Sequence, residues 1–160
     1  MRCPVRPAGR GKAKVTANVD DLVLVDVGAS GGIHRRWTGF APHLTALLFE
    51  PDEAAYQRLT SKAGGAMRVE NVAVLGEPGV HSFHVCRKQE VSSVLRPNPE
   101  VVNLYPDPGR YEIVSTQQVV ATSLDRHFLD GERPQPHFIK LDTQGSELSI
   151  LQGGKGVLAT

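Results

Sequence analysis

Apolar residues along the chain fall into short runs separated by glycine, proline and charge. "LVLVDV" (Leu22–Val27) and "LTALLFE" (Leu44–Glu50) are nearly continuous. Such runs, too short for buried helices and rich in Val and Leu, predict strands covered on both faces, as in a parallel sheet. "MRVENVAVL" (Met67–Leu75) and "HFIKLD" (His137–Asp142) predict a third and a fourth core strand. The pattern differs in the middle. "GVHSFHVCR" (Gly79–Arg87) alternates like a half-exposed antiparallel strand, and "YEIVSTQQVVATSL" (Tyr111–Leu124) predicts its partner. Pro97, Pro99, Pro106 and Pro108 lie between them, so an inserted β-hairpin or extended arm is expected.

Helix signals occupy the gaps. "IHRRWTGF" has room for about two turns, with Trp37 and Phe40 on the buried side. Asp52 is a good N-cap for a helix over Glu53–Lys62, which carries its acid early and Arg58 and Lys62 late. Thr122-Ser123-Leu124-Asp125 reads as a capping box leading to Phe128. "SELSILQ" is a helix stopped by Gly153-Gly154. Strands alternating with helices predict an open α/β sheet. "GVLAT" ends the chain where a further strand is due, so a sheet truncated after its fourth core strand is expected, or one whose open edge is covered by an oligomer partner.

Composition narrows the class. At 160 residues the chain suits one domain, over 21–160, and a net charge of +1 gives no electrostatic case for nucleic acid as a specific partner. Residues 1–20 form a basic, acid-poor leader, expected to be solvated and disordered, with no signal-peptide core. No run approaches membrane-spanning length. Cys3 and Cys86 lie in unrelated segments, which argues against a structural disulfide and for a reduced, cytoplasmic protein.

The chemistry concentrates in "DVGASGG". Gly28-Ala29-Ser30-Gly31-Gly32 spells the G-x-S-x-G of a hydrolase elbow, and Asp125 with His137, or Glu50 with His127, could complete a triad on paper. That elbow needs an oxyanion loop from an earlier strand, and only 21 residues precede Leu22. A cofactor turn fits better. Glu50 closes the second strand 22 positions after Gly28, where a carboxylate accepts hydrogen bonds from ribose hydroxyls, although an acid leading a helix would look the same. G-x-G-x-x-G is absent, so a nicotinamide oxidoreductase is a weaker reading. Asp26-x-Gly-x-Ser-Gly-Gly is close to the loop that passes S-adenosylmethionine (SAM), with Asp26 suited to its ammonium. His81 and His84, three apart on a strand, face opposite sides, so no metal site is expected. His34 follows the glycine loop, where contact with a substrate is one reading and a surface role the simpler one.

"LVLVDVGASGG", "LLFEPDEAAYQRL", "VENVAV", "VSSVL", "VVATSLDRHF" and "HFIKLDTQGSELSILQGG" occur in an order that resembles the FkbM-like class I methyltransferases, over about Leu22 to Gly154. The resemblance implies a Rossmann-like fold, SAM as methyl donor, and O-methylation of a hydroxyl on a small metabolite or glycan. It places Gly28, Ser30 and Gly32 along SAM, Glu50 on ribose, Asn71 near adenine, and Ser92 and Ser93 facing the pocket. It also assigns Asp142, Gln144 and Glu147 to the signature where the methyl points. Asp142 is then the first candidate for base, ahead of Glu147 and Lys140. Each has a plainer alternative: a helix N-cap for Asp142, a dipole-favoured acid for Glu147, the opposite face for Lys140. A silent SAM-binding remnant of such an enzyme is the alternative function.

Overall fold

A computed structural model describes residues 22–130 and 133–159. The expected leader therefore lies outside the described residues, as does Cys3; Cys86 is buried as a free thiol.

Four strands form the central sheet: β1 (Leu22–Val27), β2 (Leu44–Phe49), β3 (Met67–Glu70) and, last in the chain, β7 (Phe138–Leu141). Their order is β3-β2-β1-β7 and every pairing is parallel. The continuous apolar runs have the expected cause. Val25, Val27, Leu47 and Phe49 pack on one face against Leu124, Phe128, Ile150 and Val157, while Ala46 and Leu48 pack on the other against Ala29 and Leu59. This is the Rossmann-like α/β arrangement read from the sequence. The chain leaves β1 for β2 on one side and reaches β7 on the other, so the carboxyl ends of β1 and β7 flank the switch point where such sheets bind ligands.

A second sheet, ordered β4 (Ala73–Val74), β6 (Ile113–Thr122), β5 (Gly79–Cys86), holds the expected hairpin, with β5 antiparallel to β6. The third predicted strand is not continuous. Residues 67–70 stay in the central sheet, whereas β4 (Ala73–Val74) pairs parallel with β6 in the second. Asn71 stands at the break, its amide donating to the Glu50 carbonyl at 3.2 Å, a bond that a regular strand would not make. Between β5 and β6 an arm carries a short turn (Gln89–Val91), α2 (Pro99–Val102) and a second turn (Pro108–Tyr111).

Of the other helical segments, the helix after β2 ends two residues early, the helix after β6 starts one residue late, and the segment after the glycine turn departs furthest. Helix α1 (Glu53–Thr60) is capped by Asp52, whose side chain accepts from Ala55 N at 2.8 Å. Helix α3 (Leu124–Leu129) starts one residue later than the capping box implied, with Ser123 as its cap. Asp125 is thereby freed to accept from Gly156 N and Val157 N at the start of α5 (Lys155–Leu158). Helix α4 (Glu147–Gln152) is as expected. The segment after the glycine turn is a 3-10 helix, Arg35–His43, without a buried residue. Trp37 and Phe40 are thus not core; Phe40 is half exposed, and Trp37 packs edge-on against Phe138 at 5.4 Å. Gly39 and Pro42 inside the segment keep it from an α-helix that could lay both rings on the sheet. No helix among the described residues is long and apolar enough to cross a membrane.

Candidate functional site

The glycine turn is built against two neighbours. Gly28 N and Ala29 N both donate to the Phe49 carbonyl, at 3.1 and 3.3 Å, which ties the end of β1 to the end of β2 beside Glu50. Gly28 has φ +76°, and a Cβ there would overlap the Asp142 carbonyl oxygen. Only glycine lets the turns after β1 and β7 touch backbone to backbone.

These turns frame a narrow crevice of about 50 Å³, whose lining includes Gly28, Ser30, Glu50, Ser92, Ser93 and Asp142. Glu50 is 3% exposed; its Oε1 accepts from Asp52 N at 2.9 Å, and its Oε2 has no bonding partner among the described residues. Burial pushes the Glu50 carboxyl up to about 7, with nearby Asp52 adding to the effect against the bond from its backbone N–H. Asp52, Gln89 and Glu90 also line the crevice, and Gln89 Nε2 donates to Asp52 Oδ1. The sequence reading used Asp52 only as a cap; the acid pair Glu50-Pro51-Asp52 was the available signal for more. Gln89 and Glu90 belong to the arm and had none. The crevice wall thus holds Glu50, Asp52, Glu90 and Asp142 and, among the described residues, no Lys, Arg or His.

A second hollow, about 390 Å³, lies along the other flank of the turn. It shares Gly28, Ser30, Glu90 and Asp142 with the crevice and adds Asp26, Gly32, Arg36 and Lys140. Asp26 is 2% exposed and Lys140 Nζ stands 2.8 Å from its Oδ1. Burial raises the Asp26 carboxyl while Lys140 works to lower it. Lys140 does not turn to the opposite face; it also donates to the Gly28 carbonyl at 3.0 Å.

The loop after β7 is held in shape. Gln144 adopts φ +59° and donates to Asp142 Oδ1 at 3.0 Å. Ser93 Oγ donates to the Thr143 and Gln144 carbonyls, and Ser92 Oγ accepts from Cys86 N. Glu147 accepts from Thr143 N at 2.8 Å and from Gly145 N at 2.9 Å. Burial works to raise its carboxyl, but these backbone bonds prevail and hold it below the usual range. Both its oxygens are engaged and it lies outside the crevice, as does Asn71, which braces Glu50 from behind. The expected residues that meet at the crevice are therefore Gly28, Ser30, Glu50, Ser92, Ser93 and Asp142, with Asp26, Gly32 and Lys140 alongside.

Neither paper triad forms around Ser30. His137 accepts from Val23 N at the far end of β1, Asp125 caps α5, and His127 packs its ring against Phe49. Among the described residues no cluster of three or more His, Cys, Asp or Glu could hold a metal ion.

No curated protein and no solved structure is similar enough to the chain to match it. The family model of the methyltransferase FkbM domain does match, over residues 26–160, a span that starts at Asp26 and takes in every residue of the crevice. The chain belongs to the FkbM methyltransferase family.

Proposed function

We propose that the chain is a SAM-dependent methyltransferase acting on a hydroxyl of a small molecule or glycan in the cytoplasm. The observation that carries the choice of SAM is the charge of the crevice: Glu50, Asp52, Glu90 and Asp142, with no basic side chain among the described residues that line it. A pyrophosphate would be repelled there, which argues against a nicotinamide dinucleotide, whereas a cationic nucleoside is attracted. The free Oε2 of buried Glu50, beside a glycine turn, fits ribose hydroxyls. The adjoining hollow, with Asp26, Arg36 and the glycine-turn backbone, fits an amino-acid tail.

When bound, SAM supplies an electrophilic methyl whose sulfur leaves with the bonding pair as a neutral thioether. The chain's own part is alignment, exclusion of water and proton handling. Asp142 borders both the crevice and the tail hollow, so it holds the acceptor hydroxyl and takes its proton. Glu147 keeps the loop that carries Asp142 in place, and Lys140 fixes the glycine turn. Calorimetry with SAM tests the reading. Micromolar binding abolished by Glu50→Ala supports it, and no binding by the parent chain overturns it. Binding without methyl transfer to any hydroxylated compound would favour the silent alternative.

A further inference from the structure

Asp142 and Ser93 face a third space. Both line a cleft of about 570 Å³ between the Asp142–Glu147 loop and the arm, within the range of small-molecule sites. The arm's wall carries Leu95, Arg96, Val101, Tyr105 and Tyr111. Leu95, Val101 and Tyr105 are each about half exposed there, an apolar surface that the fold leaves uncovered.

Arg96 is the only cation that lines this cleft among the described residues. Arg96 makes no hydrogen bond or ion pair among the described residues. Arg110 stacks its guanidinium over Tyr105 and Tyr111, at 5.6 and 4.8 Å from the ring centres, and donates to Tyr111 Oη at 2.9 Å. It too lacks a carboxylate among the described residues, and its buried Nε has no acceptor. The cleft therefore presents one arginine, Arg96, with unmet capacity for an anion, beside an aromatic floor that Arg110 backs, opposite the carboxylate that borders the proposed SAM crevice.

We infer that this cleft receives the methyl acceptor, and that the acceptor is a hydroxylated ring compound bearing a phosphate or carboxylate. Its hydroxyl lies toward Asp142, its ring on Leu95, Val101 and Tyr105, and its anionic group against Arg96. The inference rests on the methyltransferase reading above. Charge is divided within the cleft: Asp142 and Glu147 stand on its loop side and Arg96 on its arm side, so an anionic group is held at the arm's end.

The test is calorimetry on the full chain saturated with S-adenosylhomocysteine, using paired probes. Glucose 6-phosphate is compared with glucose, and 4-hydroxybenzoate with 4-hydroxybenzyl alcohol. At least one charged probe is expected to bind about tenfold or more tighter than its neutral partner, and which pair shows it distinguishes phosphate from carboxylate. Arg96→Met should remove that preference and Arg96→Lys retain part of it, with SAM affinity within about twofold of the parent in both. Equal affinities within both pairs, no binding of either charged probe at millimolar concentration, or a preference that survives Arg96→Met would overturn the inference. Failure of the parent chain to bind SAM would instead sink the functional reading, so the two failures are separable.

Discussion

Lys140 Nζ lies 2.8 Å from Asp26 Oδ1, joining the fourth core strand to the first at the base of the glycine turn. The same ammonium donates to the Gly28 carbonyl, so one side chain secures two strands and the bend between crevice and hollow. Removing it strands a buried carboxylate. Lys140→Met should lower stability by about 1–3 kcal/mol in urea denaturation, less than for a fully buried pair because the Lys140 side chain is 38% exposed. Adding Asp26→Asn should recover part of that loss; a double variant no more stable than the single one would contradict the pairing.

Glu50 gives a pH signature of definite sign. Its carboxyl moves from 4.5 to about 7 on folding, so the native state holds the proton more tightly than the unfolded chain. The ligand-free protein therefore loses stability as pH rises between those values, by about 3 kcal/mol from this group, and no more above them. Glu50→Gln should be more stable than the parent at pH 8 and equal to it at pH 4. SAM binding should follow the opposite course, tightening between pH 6 and 7.5 as the carboxylate forms, and Glu50→Gln should flatten that profile with a loss of about 1.5–3 kcal/mol in affinity at neutral pH. Parallel titrations of Tm and Kd check both halves.

Gly28→Ala combines a left-handed backbone angle with a methyl driven into the Asp142 carbonyl. The turn or the Asp142 loop must shift, so destabilisation beyond about 1–2 kcal/mol is expected together with loss of SAM binding. Gly31→Ala, where an added Cβ meets nothing, is the control and should be close to neutral.

Asp142 and Glu147 should separate as proton handler and brace. Asp142→Asn keeps an acceptor for Gln144 but removes the charge; kcat should fall about 10²–10⁴-fold with SAM affinity little changed. Glu147→Gln should act on stability first. The lowered Glu147 carboxyl contributes stability present above its ordinary value of 4.5 and lost as pH falls through its folded value, so the variant's deficit, about 1 kcal/mol at pH 7, should vanish in acid. Equal kcat losses in the two variants would undo the assignment.

The central sheet could be read from sequence because a strand covered on both faces has no polar positions to blur it; Val25 and Leu48 serve opposite cores and both must be apolar. Gly28 and Glu50 were legible for a related reason, standing where such runs stop. The break at Asn71 was not, because Val69, Val72 and Val74 read as one run whichever sheet each joins. Trp37 and Phe40 misled because helical spacing marks a face without saying that anything covers it. Ser123 displaced Thr122 as cap through a tertiary demand, the capture of Asp125 by α5. The cleft on the arm was out of reach: Arg96 and Asp142 are 46 positions apart, and no local pattern announces that they share a space.

The division of residues 67–75 between two sheets has a mechanical corollary. One bank of the crevice, with Phe49 and Glu50, is fastened to the central sheet; the other, with Ala73 and Phe83, rides on the second sheet. A molecule lodged between them acts as a clasp across the seam. Amide hydrogen exchange in β4 and β5 should consequently slow along with that in β1 when the clasp is in place.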